Sequence, residues 1–126
     1  MKDQRQKGAV AIEFAFILPA LVLLLFGIVE ISLLMFNKQI LTNASREGAR
    51  YGIVGETTGN IEAKVRDYCA GHLISFGSGS TQVNPTAAVS NGYLEVTATY
   101  PFNFLVLDNF GLGPVTLRAK TVMKLE

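Results

Sequence analysis

The sequence predicts an α+β protein in which a long N-terminal transmembrane helix runs on into a small extracytoplasmic head with a short helix and a three-stranded antiparallel sheet. Three observations carry this: one apolar run from Phe14 to Phe36, a helical period that persists to about residue 54, and a switch to period two beyond residue 82. The 126 residues, 49% hydrophobic and 17% charged, suit one domain and are too apolar for a disordered chain or a multi-domain enzyme. A formal charge of +1 provides no basic field for a phosphate backbone, so no nucleic acid is expected. A single cysteine, Cys69, and a single histidine, His72, exclude an internal disulfide and a Cys/His zinc set.

The apolar run FAFILPALVLLLFGIVEISLLMF carries one charge, Glu30. As a helix it reaches roughly 35 Å, against a hydrocarbon core of about 30 Å. Its sixteen Leu, Ile, Val and Phe favour insertion by roughly 5 to 10 kcal/mol, against about 3 kcal/mol for one carboxylate at mid-membrane. Insertion wins. Pro19 is tolerated in such a helix and predicts a kink there. Lys2, Arg5 and Lys7 precede the run against the single acid Asp3, which holds the N-terminus in the cytoplasm and sends the residues after Phe36 outside. The run passes into Asn37, Lys38 and Gln39 without the small-residue site of an ordinary secretory signal.

The stretch KGAVAIEF, residues 7–14, ends the basic leader with Gly8 and places Glu13 five residues later, with only small and apolar residues between. It resembles the leader of type IV pilin-like proteins, which a membrane prepilin peptidase cuts after that glycine. The resemblance implies a cut between Gly8 and Ala9, leaving glutamate as the fifth residue of the mature chain. A carboxylate at the edge of hydrocarbon is expensive alone, and the freed α-amino group of a neighbouring subunit would neutralise it. The competing reading leaves Glu13 solvated in the headgroup layer.

GAVAIEFAFILPALVLLLFGIVE, followed by LTNASREGARYGIV at residues 41–54, resembles the TadE-like family of the tight-adherence (Tad) pilus and secretion system. The similarity covers roughly residues 7–54, with AIEFA, the Leu18–Pro19 step, FGIVE and the REGARY block as its most specific parts. It implies a pseudopilin, processed by the prepilin peptidase and needed to build a thin adhesive pilus.

From residue 37 to 54 the helix continues into water. Ile40, Leu41, Ala44, Gly48 and Tyr51 fall on one stripe that needs a partner. Ala44, Gly48 and Gly52, four apart, admit a helix or sheet close to the backbone; the alternative is that Gly48, Gly52 and Gly55 fray and end the helix. Arg46 and Arg50 form a like-charge pair at the same spacing, which Glu47 offsets only in part. Glu30 lies sixteen residues before Arg46, roughly 24 Å along one helix. Only a staggered neighbour would join them, so Glu30 is expected either to meet Arg46 or Arg50 of another subunit or to bond some polar group in a bundle interior.

After GETTGN, residues 55–60, the spacing of Ile61, Val65, Tyr68, Cys69 and Leu73 predicts a second helix over about 60–74, with Asn60 as N-cap and Glu62 in its first turn. Cys69 falls on the apolar stripe and reads as a buried thiol; exposed, it would permit an intermolecular disulfide. His72 reads as a helix C-terminal residue. GSGSTQ, residues 77–82, is a joint. Asn91-Gly92 then marks a hairpin between QVNPTAAV and YLEVTATY, with Leu94, Val96, Ala98 and Tyr100 on one face. A third strand follows at Val115 to Leu125. Between strands, PFNFLVLDNFGLG is an apolar loop whose Phe102, Phe104 and Phe110 are expected to pack on the core or the helix; exposed, they would form a contact patch.

These boundaries divide the chain into a cleavable basic leader at 1–8, a long helix at 9–54 with its transmembrane part at 14–36, and an α+β head at 55–126. A head of about seventy residues is marginal by itself, and the amphipathic stem supplies its second apolar surface. The outcome is the ladle shape common among pilin-like proteins. No catalytic set is visible: no Ser/His/Asp or Cys/His arrangement, no phosphate loop, no paired carboxylates among Asp67, Glu95 and Asp108. No cofactor, metal or small-molecule substrate is expected. The expected partners are the prepilin peptidase, other pilin-like subunits and the lipid bilayer, at a bacterial inner membrane with the head outside. Two functions compete: a pilin-like assembly subunit, accessory rather than bulk, or a single-pass anchor whose outer module binds a partner without polymerising.

Overall fold

The computed structural model describes residues 2–75 and 82–126, with the side chains of Lys2 and Asp3 excluded; most of the expected joint at 77–82 lies outside the described residues. Helix α1 spans Lys2–Ile53 without interruption, through Pro19. Its 52 residues extend about 78 Å. Every residue from Gln4 to Phe26 is exposed, and the stretch is long and apolar enough to cross a membrane. The helix ends where Gly55 turns to φ 94°, its N–H reaching back to the Gly52 carbonyl.

Helix α2 covers Thr58–Cys69, starting two residues earlier and ending sooner than expected. Thr57 is the N-cap in place of Asn60: its hydroxyl accepts the Asn60 backbone N–H, while the Asn60 side chain donates to Glu56. Gly71, at φ 76°, takes the chain away from the helix direction, so His72 follows the helix and stacks on Tyr68 with ring centroids 5.8 Å apart.

Strands β1 (Asn84–Ser90), β2 (Tyr93–Phe102) and β3 (Val115–Lys124) form an antiparallel sheet in the order β1-β2-β3. Asn91 and Gly92 both take positive φ, 51° and 77°, the turn whose twist suits a two-residue hairpin. Leu94, Val96, Ala98 and Tyr100 are all buried on one face, joined by Leu117 and Ala119 of β3. That face packs on α1, and α2 packs on both α1 and β1. Leu41, Ala44 and Ala49 of α1 meet Ile61, Val65 and Cys69 of α2 in the same core. Glu62, on α2, accepts the Ala87 N–H of β1, which ties the helix to the sheet edge.

Candidate docking stem and processing site

The stem shows two chemical regimes along one helix. From Gln4 to Phe26 every residue is exposed. From Glu30 onward one stripe carries the head. Glu30, Asn37, Leu41, Ala44, Gly48 and Gly52 are all buried at steps of three, four and seven that keep them on one face, and Ser45 is buried beside Ala44.

The glycines set how closely the head approaches. A methyl group on Gly48 would stand 2.5 Å from Val65 Cγ2 of α2, and one on Gly52 would stand 2.7 Å from Ile61 Cδ1 and closer still to Leu94 Cδ2 of β2. No real carbon sits so near another, so both positions require glycine for contact within the subunit. Ala44 is fully buried beside them. Gly55 caps the end of the helix, whereas Gly48 and Gly52 lie within it.

Polar groups fasten the stripe at three levels. Asn37, fully buried, gives its amide N–H to the Ile74 carbonyl (2.6 Å) and accepts the Ile74 N–H (2.9 Å), mimicking a strand pair. Ser45 shares a 2.7 Å hydrogen bond with Thr121 of β3. Glu30 is only 2% exposed. Its Oε1 accepts the backbone N–H groups of Leu105 and Val106 at 2.7 and 2.6 Å, and its Oε2 accepts that of Leu107 at 3.1 Å.

Within the subunit Glu30 meets neither Arg46 nor Arg50: both carboxylate oxygens are taken by the loop between β2 and β3, and the arginines are exposed farther up the stem. The physical reason is that three successive amide donors satisfy a carboxylate without the cost of desolvating a guanidinium. The head also reaches the stem six residues below the expected outer end of the span at Phe36. Phe110, expected in the core, is instead 65% exposed, whereas Phe102 is buried and Phe104 packs edge-on against it. Arg46 and Arg50 line a shallow groove with Glu47 and with Tyr68 and Met123 from the head.

The residues of the expected processing site lie in the exposed part of the stem. Gly8 and Ala9 are exposed within α1, with open space around Gly8, and Glu13 is exposed with no partner among the described residues. Cys69 is free and 3% exposed; burial pushes its pKa up to about 11. At pH 8 roughly one molecule in a thousand then carries the thiolate. Iodoacetamide is expected to leave Cys69 unmodified in the folded full-length chain at pH 8 and to modify it fully after denaturation, read by intact mass; rapid labelling of the folded chain would contradict the buried thiol. Among the described residues no group of three His, Cys, Asp or Glu comes together.

Asn37 and the intrasubunit role of Glu30 were missed by sequence reasoning. The available signal was phase: Glu30, Asn37 and Ala44 recur every seven residues, in register with the stripe Leu41–Gly48.

No curated protein and no solved structure gives a significant match to the chain. Residues 8–50, the stem from Gly8 to Arg50, match the family model for TadE-like proteins.

Proposed function

We propose that the chain is a pilin-like subunit that helps assemble a Tad-type adhesive pilus or a related secretion apparatus, with an architectural rather than catalytic role. The observation that carries this reading is the division of the stem. Its upper half is consumed by the head, while Ala9–Phe26 is an apolar rod exposed on every side with one acid, Glu13, near its inner end that has no partner among the described residues. A rod of that kind is stored in lipid and, once extracted, buries itself against copies of similar rods. The TadE-like match begins at Gly8 and covers all of this segment.

In this reading a prepilin peptidase cuts between Gly8 and Ala9. The new α-amino group of one subunit then neutralises Glu13 of its neighbour as both leave the headgroup layer, where an unpaired carboxylate would be costly. Arg46 and Arg50 face outward on the stem and offer guanidinium donors to a carboxylate of an adjacent head. Glu30 works within its own subunit by holding the loop between β2 and β3 to the stem.

Intact-mass analysis of membrane and sheared-filament fractions tests the scheme: residues 1–8 are expected to be missing from the wild-type chain. Gly8→Val is expected to abolish cleavage and leave the full-length mass, and Glu13→Gln to permit cleavage while lowering recruitment into the apparatus at least tenfold, about 1.4 kcal/mol of docking energy. A full-length wild-type chain confined to the membrane would overturn the assembly reading in favour of a plain anchor.

A further inference from the structure

The loop between β2 and β3 shows an apolar surface in a definite place. Leu105, Phe110 and Leu112 are 53%, 65% and 53% exposed, and Val115 beside them is also exposed. Three large apolar side chains of one loop and a fourth at the start of β3, all displayed to water, are unusual for an isolated soluble surface. Its position on the stem is fixed by two observations. Glu30 holds the Leu105, Val106 and Leu107 amides, and a carbon added to Gly27 would lie 3.9 Å from Leu107 Cδ2. Strand β2 therefore descends along the stem from Gly52, beside Leu94, toward Glu30, and among the described residues the loop is the lowest part of the head.

The stem sets where the bilayer lies. Lys7 closes the basic stretch, and the exposed apolar residues begin at Val10, run without a charged residue from Phe14 to Val29, and beyond Glu30 continue at Ile31, Met35 and Phe36. About twenty residues span the hydrocarbon core as a helix, so a span beginning just after Lys7 ends at Gly27 to Glu30. The loop is held at that level by its Leu105–Leu107 amides at Glu30 and by Leu107 beside Gly27, next to the exposed stem residues Ile28, Val29 and Ile31.

We infer that the loop 103–114 is a lipid-contacting foot, with Leu105, Phe110 and Leu112 entering the outer interfacial layer of the bilayer next to the point where the stem leaves it. The partner is a lipid surface rather than a protein because the patch adjoins the lipid-facing stem. Aromatic and large aliphatic side chains suit the depth at which hydrocarbon gives way to headgroups. The foot explains how Glu30 is tolerated at the rim of the span: the loop that supplies its hydrogen bonds also covers it. The head then sits at a fixed height and tilt on the membrane before any assembly step. This inference rests on the membrane-anchored part of the proposed function.

The chain contains no tryptophan, so single substitutions make clean fluorescent probes. Full-length Phe110→Trp, Leu112→Trp, Leu21→Trp and Val89→Trp are reconstituted in phosphatidylcholine vesicles with and without chain-brominated phosphatidylcholine. Leu21→Trp reports the span, and Val89→Trp reports the exposed far end of the sheet. Phe110→Trp and Leu112→Trp are expected to emit to the blue of Val89→Trp and to be quenched several-fold more by bromine near the headgroup than by bromine at the chain ends. Emission and quenching equal to those of Val89→Trp would overturn the foot while leaving the anchor intact if Leu21→Trp is quenched. Loss of quenching at Leu21→Trp would overturn the anchor itself. Blue-shifted emission at Phe110→Trp without bromine quenching would also overturn the lipid foot and assign the patch to a protein neighbour.

Discussion

Gly52→Val is expected to lower the midpoint of thermal unfolding of the head by on the order of 10 °C or more, read by near-ultraviolet circular dichroism of the full-length chain in detergent. The added atoms would overlap Leu94 Cδ2 and Ile61 Cδ1, and both of those side chains are only 1% exposed. Neither can rotate into free space, so the sheet and α2 must retreat together from the stem. Overpacking of this kind costs about 1–3 kcal/mol or more. The smaller Gly52→Ala change sets two effects against each other: alanine gains up to about 1 kcal/mol of helix propensity, and the clash outweighs it. Gly59→Ala supplies the contrast. Gly59 lies in α2 with ordinary φ and nothing within 4 Å of its added methyl group, so the same chemical change is expected to stabilise by roughly 0.5 kcal/mol. A stabilised Gly52→Ala would show that the head does not grip the stem at this point.

The contrast between the two glycines shows how far the sequence reading extends. Period and turn chemistry make the elements legible: the three strands, the Asn91-Gly92 hairpin and the inward face Leu94–Tyr100 follow from local pattern, and the small-residue row at Ala44, Gly48 and Gly52 announces a close approach. The same row does not say which surface approaches. A helix stripe that fits a neighbouring subunit and one that fits the chain's own sheet read alike. The same ambiguity governs Glu30. A lone acid in an apolar run signals a partner, but its partners are three backbone amides some 75 residues later, and backbone donors carry no side-chain signature. Phe110 shows the converse limit: its apolar character is local, whereas its exposure depends on how the loop is fastened.

Glu30→Ala is expected to free that loop while leaving the stem in the membrane. The substitution removes both acceptor oxygens and leaves the Leu105, Val106 and Leu107 amides without partners. Each buried donor left unsatisfied costs about 1–3 kcal/mol, although water at the rim of the head offsets part of it. A net loss of about 3 kcal/mol corresponds to roughly a hundredfold faster amide exchange at these three positions, measured by hydrogen–deuterium exchange in detergent. Chymotrypsin is expected to cut after Phe104 or Phe110 in the variant and not in the wild-type chain. Glu30→Gln should be intermediate, because an amide keeps one acceptor oxygen for two of the three N–H groups and turns a donor toward the third. Exchanging charges, with Glu30→Arg combined with Arg46→Glu, is expected to give no rescue of loop protection: a guanidinium offers only donors to three donors. Restored protection in that double variant, or unchanged exchange in Glu30→Ala, would place the carboxylate in a contact with the stem arginines instead. Because alanine also removes a carboxylate from the rim of the span, insertion itself should not weaken, and loop release and anchoring are separated by the two readouts.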